Sequence, residues 1–196
     1  MASKIKVDTL ETADGTGSIT LNNQLSGMTT ASLPALGSAQ MPTGSVLQVK
    51  QAVLTTSSAA AIEGWYDITG LSLAITPTSS SSKILIQANV FGAVSNAGWL
   101  TGIRILRDST ALAVGTSGSS ATNNFASFAY MAGSTAQGDG KQMVVDILDS
   151  PSTASAITYK VQYVGGNTGV TTYINRLSNS SNVCAISTIT LMEIQG

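Results

Sequence analysis

Residues 64–91 read GWYDITGLSLAITPTSSSSKILIQANVF, and this stretch decides the fold class. Its second half alternates. Ile84, Ile86, Ala88 and Val90 fall on one side, and Lys83, Leu85, Gln87 and Asn89 on the other. A period of two with one apolar side is the pattern of a β-strand that buries one face. The first half, 64–75, is another strand-like run, with Trp65, Ile68, Leu71, Leu73 and Ile75 as candidate core. Thr76-Pro77-Thr78 and the serines Ser79 to Ser82 lie between the two runs and read as their connection. The strand over 83–94 is expected to anchor a sheet, with later segments as its partners.

Those later segments repeat the pattern. A run over 99–107 places Ile103 and Ile105 opposite Arg104. Short runs follow over 111–114, 125–131 and 142–148, with polar loops over 115–124 and 133–140. In the 125–131 run, Phe125, Ser127, Ala129 and Met131 share a face. Over 156–164, Ile157, Tyr159, Val161 and Tyr163 oppose Thr158, Lys160 and Gln162. Gly165-Gly166-Asn167 breaks that run, and further strands are expected over 171–177 and 183–194. Upstream, 45–53 supplies one more. About nine or ten short strands with no helical period predict an all-β chain, an antiparallel jelly-roll-like sandwich over 44–196. The last strand is apolar on both faces. Ile189 and Leu191 point one way; Ile186, Met192 and Ile194 point the other and are expected to meet a neighbouring subunit.

Residues 1–25 read as a short arm. Lys4 to Asp8 and Ser18 to Asn22 alternate around the turn signal Asp14-Gly15-Thr16-Gly17. A hairpin this small is marginal alone. Its apolar side chains, Ile5, Val7, Leu10, Ile19 and Leu21, need a partner, so the arm is expected to order on assembly. Residues 26–43 read as a linker, in which Pro34, Gly37 and Pro42 forbid a long helix.

Only 10% of the residues are charged, against about 25% in ordinary soluble domains. Such a hydroxyl-rich, neutral surface suits a protein that works assembled. The net charge of −1 and scattered basic residues argue against nucleic acid and anionic membranes. No stretch is long and apolar enough to insert as a helix, and residues 1–12 lack the apolar core of a signal peptide, so synthesis in a cytoplasm is expected. There is no histidine, the commonest general base. Asp146 falls in a strand, and Glu63, Asp67, Asp108, Asp139 and Asp149 fall at turns, where such groups satisfy backbone donors. No catalytic residue, cofactor or metal is expected. Cys184 stands alone in an apolar run and is expected to be buried. Aromatic and amide residues beside loops are the candidate contacts for an outside partner: Trp99, Asn123, Asn124, Phe125 and Tyr173.

The opening SKIKVDTLETADGTGSITLNN (3–23) resembles the N-terminal segment of tail-fibre and other virion structural proteins of tailed phages, particularly marine and cyanobacterial ones. The body is similar to their C-terminal domains in GSVLQVKQ (44–51), residues 64–86, SAITYKVQY (155–163), YINR (173–176) and STITLMEI (187–194). The resemblance implies a homotrimeric, non-enzymatic virion protein. Its arm would bind other virion proteins of the tail, collar or capsid. Its jelly-roll head, similar in plan to trimeric complement- and tumour-necrosis-factor-type heads, would contact a glycan or protein on the host surface. Only residues 26–43 stand where such fibres carry a long repetitive shaft, so a short fibre or spike is expected. The alternatives are a capsid or collar decoration protein and, disfavoured by the missing His and carboxylate pair, a polysaccharide-degrading spike.

Overall fold

Strand β4 (Lys83–Val94) runs through the middle of the protein's larger sheet. A computed structural model describes residues 37, 40–61, 63–116, 124–131, 139–165 and 169–196. The five arm side chains expected to anchor the chain, and Asn123, lie outside these residues. Eleven strands occur among the described residues. In order they are β1 (Val46–Leu54), β2 (Ser58–Ala61), β3 (Gly64–Ile75), β4, β5 (Leu100–Arg107), β6 (Thr110–Leu112), β7 (Ser127–Tyr130), β8 (Lys141–Asp149), β9 (Ile157–Gly165), β10 (Thr171–Ile174) and β11 (Ser187–Ile194).

All pairings are antiparallel. On one side β4 pairs with β8 along most of its length, from Ile84↔Asp149 to Gly92↔Lys141. On its other side β4 first meets β11 (Lys83↔Ile194 to Asn89↔Thr188) and then β10 (Gly92↔Ile174 to Val94↔Thr172). β1 extends the sheet beyond β11, and β2 extends it beyond β10. The smaller sheet runs β3-β9-β5-β6, with β7 also paired to β5. The two sheets form the expected all-β sandwich.

The core lies between them. Ile84, Ile86, Ala88 and Val90 are all at most 1% exposed, as the alternation predicted. Opposite them stand Ile103 and Ile105 of β5 and Ile157, Tyr159, Val161 and Tyr163 of β9, with Ile189 and Leu191 alongside β4. Each of the isoleucines, leucines and valines among them contributes roughly 1.5–3 kcal/mol by leaving water.

Strand β2, Ser58-Ala59-Ala60-Ala61, shows no alternation of large and small groups and was not foreseen; β10 offers it a partner (Thr171↔Ala61 to Ile174↔Ser58). Three expectations require correction. Trp65 does not share the core with Ile68, Leu71 and Ile75. The β3 register shifts between Asp67 and Ser72, around Gly70 at φ +96°, so the inward side changes from even to odd numbers. Phe125 leaves the face of Ala129 and Met131, because β7 starts only at Ser127. Cys184 is exposed: residues 183–186 precede β11, and Cys184 is held by an isolated bridge to Arg176 rather than in a strand of the sheet.

Candidate functional site

The register shift in β3 turns Trp65 and Asp67 to the outer side of the smaller sheet. There Trp65, Val164, Gly102 and Phe128 line up in one row across β3, β9, β5 and β7. Asp67, Gln162 and Arg104 form the adjacent row. The Phe125 ring lies on Gly102, and a Cβ at that position would collide with it. Glycine here leaves the space that the ring occupies. Phe125 contacts Trp65 at a ring-centroid distance of 5.7 Å and Phe128 at 5.8 Å. Phe128 is 59% exposed and Tyr130, two residues on along the same strand, 51%.

A polar ladder runs beside this aromatic stripe. Arg104 donates from Nε and Nη2 to Gln162 Oε1 at 2.9 and 2.7 Å. Gln162 Nε2 donates to Asp67 Oδ1 at 2.6 Å, and Lys160 Nζ donates to Asp67 Oδ2 at 2.8 Å. The Arg104 guanidinium also stacks over Trp65, 4.2 Å from the ring centroid. Hydrogen bonds from Lys160 and Gln162 hold the Asp67 carboxyl below its ordinary pKa, against a smaller opposing effect of burial. Exposed ion pairs add little stability. What the ladder supplies is orientation: each planar group is held edge-on by its neighbour.

The outer side of the larger sheet is different. Val49, Met192, Leu85 and Leu148 make an apolar row across β1, β11, β4 and β8. Next comes a polar row, Gln51, Thr190, Gln87 and Asp146, tied by Gln51 Nε2 to Thr190 Oγ1 and Gln87 Nε2 to Asp146 Oδ1, both at 2.9 Å. Val53, Thr188, Asn89 and Val144 form the third. Val49, Val53, Val144 and Leu148 are each about half exposed. Lys83 and Asp146 are the only charged residues at the outward positions of these four strands.

The residues singled out from sequence divide among these surfaces. Met192 sits inside the apolar row, Ile194 lies at its end of β11, and Ile186 is exposed just before the strand. Trp99 packs against the core instead of standing out as a platform, and its carbonyl accepts from Met131 N at 3.0 Å. Tyr173 lies on β10 of the larger sheet, under Arg176 at 4.6 Å. Phe125 belongs to the aromatic stripe, and half-buried Asn124 precedes it. Trp99, Phe125 and Tyr173 therefore do not form one site. Trp65, Arg104 and Phe128 were not among the candidates. The signal for Trp65 was the odd spacing of three residues that separates Ile68 from both Trp65 and Leu71, which no unbroken strand accommodates.

No protein-family model matches the chain. No curated protein matches it either. Among solved structures it is similar to infectious bursal disease virus, Gx strain, at 18% identity and a TM-score of 0.36, covering 84% of this chain and 43% of the other. It is also similar to a mutant VP2 protein of that virus in T=1 particles, at 13% identity and a TM-score of 0.39, covering 82% and 40%. The VP2 subviral particle aligns at 14% identity and a TM-score of 0.34, covering 84% and 42%. The chain thus spans less than half the length of these proteins.

Proposed function

We propose that the protein is a non-enzymatic structural subunit of a phage particle, a short fibre or spike. Its head associates with copies of itself through the outer side of the larger sheet, as a homotrimer. The arm, through Ile5, Val7, Leu10, Ile19 and Leu21, attaches the assembly to other virion proteins. The carrying observation is the Val49–Met192–Leu85–Leu148 row, half exposed at both ends on a face with two charges. Depletion of charge around an apolar centre marks protein interfaces.

The face is large enough for that use. Four strands about 4.8 Å apart and nine residues of about 3.4 Å rise project to roughly 600 Å². A standard interface buries about 800 Å² of accessible surface per partner, and a pleated face exceeds its projection. The same row repeated around a closed ring covers every copy. The short stretch over 26–43 favours a second reading, a capsid or collar decoration protein, because it leaves no room for a shaft.

The test is the native mass of the full chain beside a Val49→Asp/Leu148→Asp variant. A trimer that falls to a monomer with unchanged circular dichroism supports the assembly. A monomeric parent, or a variant of unchanged mass, would overturn it. Binding of the labelled full chain to host cells distinguishes a fibre from a decoration protein.

A further inference from the structure

We infer that the outer side of the smaller sheet is a binding site for an acidic saccharide, with the sugar ring on the Phe125–Phe128 stripe and its acid group on Arg104 and Lys160. Sugars have two kinds of surface. The C–H faces of a pyranose are apolar and stack on aromatic rings; its edge is a row of hydroxyls that needs planar donors and acceptors. Both are present in adjacent rows. The stripe and the ladder lie two residues apart along the strands, about 7 Å, so one ring can lie on Phe125 and Phe128 while its edge meets Arg104 and Gln162.

Three features separate this surface from an ordinary sheet exterior. Phe128 is more exposed than any other large apolar side chain among the described residues, at 59%, on a strand with Tyr130 beside it. Gly102 removes the side chain that would lift Phe125 off the sheet. The ladder groups are already held by one another, so a ligand meets fixed geometry and little side-chain freedom is lost on binding. The sign of the ligand follows from charge. Within the ladder, Arg104 and Lys160 stand against the single carboxylate of Asp67, an excess of one positive charge. Arginine pairs with a carboxylate through parallel hydrogen bonds, and its planar group suits that role better than an ammonium. One surplus charge is too little for a polyphosphate backbone. A uronate or similar acidic sugar matches it.

This inference rests on the reading of the protein as an assembled short fibre or spike, and its test separates the site from the assembly. The full chain is titrated with a galacturonic acid tetramer and, as the neutral control, maltotetraose, by calorimetry and tryptophan fluorescence, with native mass recorded on the same samples. The expected result is saturable binding of the acidic tetramer that weakens with salt. Its fluorescence change should vanish in Trp65→Phe. Phe128→Ala should weaken binding about tenfold, and Arg104→Gln should remove the preference for the acidic sugar. Phe128 is exposed, so its loss leaves the fold intact. No saturable binding by a chain that assembles normally would overturn the site and leave the assembly standing. Equal affinity for maltotetraose, or binding unchanged in both Phe128→Ala and Arg104→Gln, would overturn it too. A monomer that still binds through Phe128 supports the site and removes the assembly.

Discussion

Asn175 is buried at a left-handed φ of 60°, where the β10 strand has ended and β11 has not begun. Its backbone N donates to Phe91 O at 3.0 Å, and its Nδ2 donates to Leu54 O and Thr56 O at 2.8 and 3.1 Å. Its Oδ1 accepts from Ser187 Oγ, which in turn accepts from Phe91 N at 3.1 Å. One side chain thus closes the gap in the ladder where β4 changes partners. Asparagine tolerates left-handed backbone, and few others do. Asn175→Ala strands two carbonyls and a hydroxyl, so a loss of about 3 kcal/mol is expected in denaturant unfolding. Glu193 is the second such residue. It points into the sandwich at 0% exposure, accepting from Gln48 Nε2 at 2.6 Å and from Thr78 N and Oγ1 at 2.6 and 2.7 Å. Burial alone would push its carboxyl up, but the hydrogen bonds from Gln48 and Thr78 prevail and hold its pKa below the ordinary 4.5. A depressed carboxylate pKa stabilises the fold above the unfolded value and stops doing so as pH falls through the folded one. Glu193→Gln is expected to cost about 1–3 kcal/mol at pH 7. The gap between parent and variant should close as pH drops below 4.5; thermal unfolding at pH 7, 5 and 3 reads this directly.

At the scale of elements, legibility in the sequence followed packing. β4 and β9 face the core on one side and are paired along both edges, so strict alternation shows in their residues. β3 was legible as a strand, but its bulge was not, because a register shift is set by what the partner strand offers. The aromatic stripe stayed hidden for the same reason: Trp65, Phe125 and Phe128 come from separate strands and loops. Their meeting depends on Gly102, where a methyl group would strike the Phe125 ring. Gly102→Ala is therefore expected to displace Phe125 and cost about 1–3 kcal/mol. A thermal melt gives the cost, and loss of the Trp65–Phe125 contact shifts the tryptophan emission.

For the whole molecule, the two outer sides should respond differently to salt. In the proposed assembly the larger sheet's outer side meets a second copy through a mostly apolar face with two charges, so added salt should leave native mass unchanged. Sugar binding through Arg104 and Lys160 should weaken as the screening length falls from about 10 Å at 0.1 M salt to about 3 Å at 1 M. Light scattering and calorimetry across that range check both. If salt dissociates the assembly, the apolar row is not what holds it.

The residues alone determined that this is an all-β chain, which strands carry the core, and that the last strand has two apolar sides. Those properties are local, since a period of two is written into each strand whatever it pairs with. Tertiary structure decided the rest. Strand order, the partner change along β4, the outward turn of Trp65 and the exposure of Cys184 all depend on contacts between residues far apart in the chain. Such contacts leave no periodic trace, so which aromatic rings stand together on a surface emerged only when the sheets were assembled.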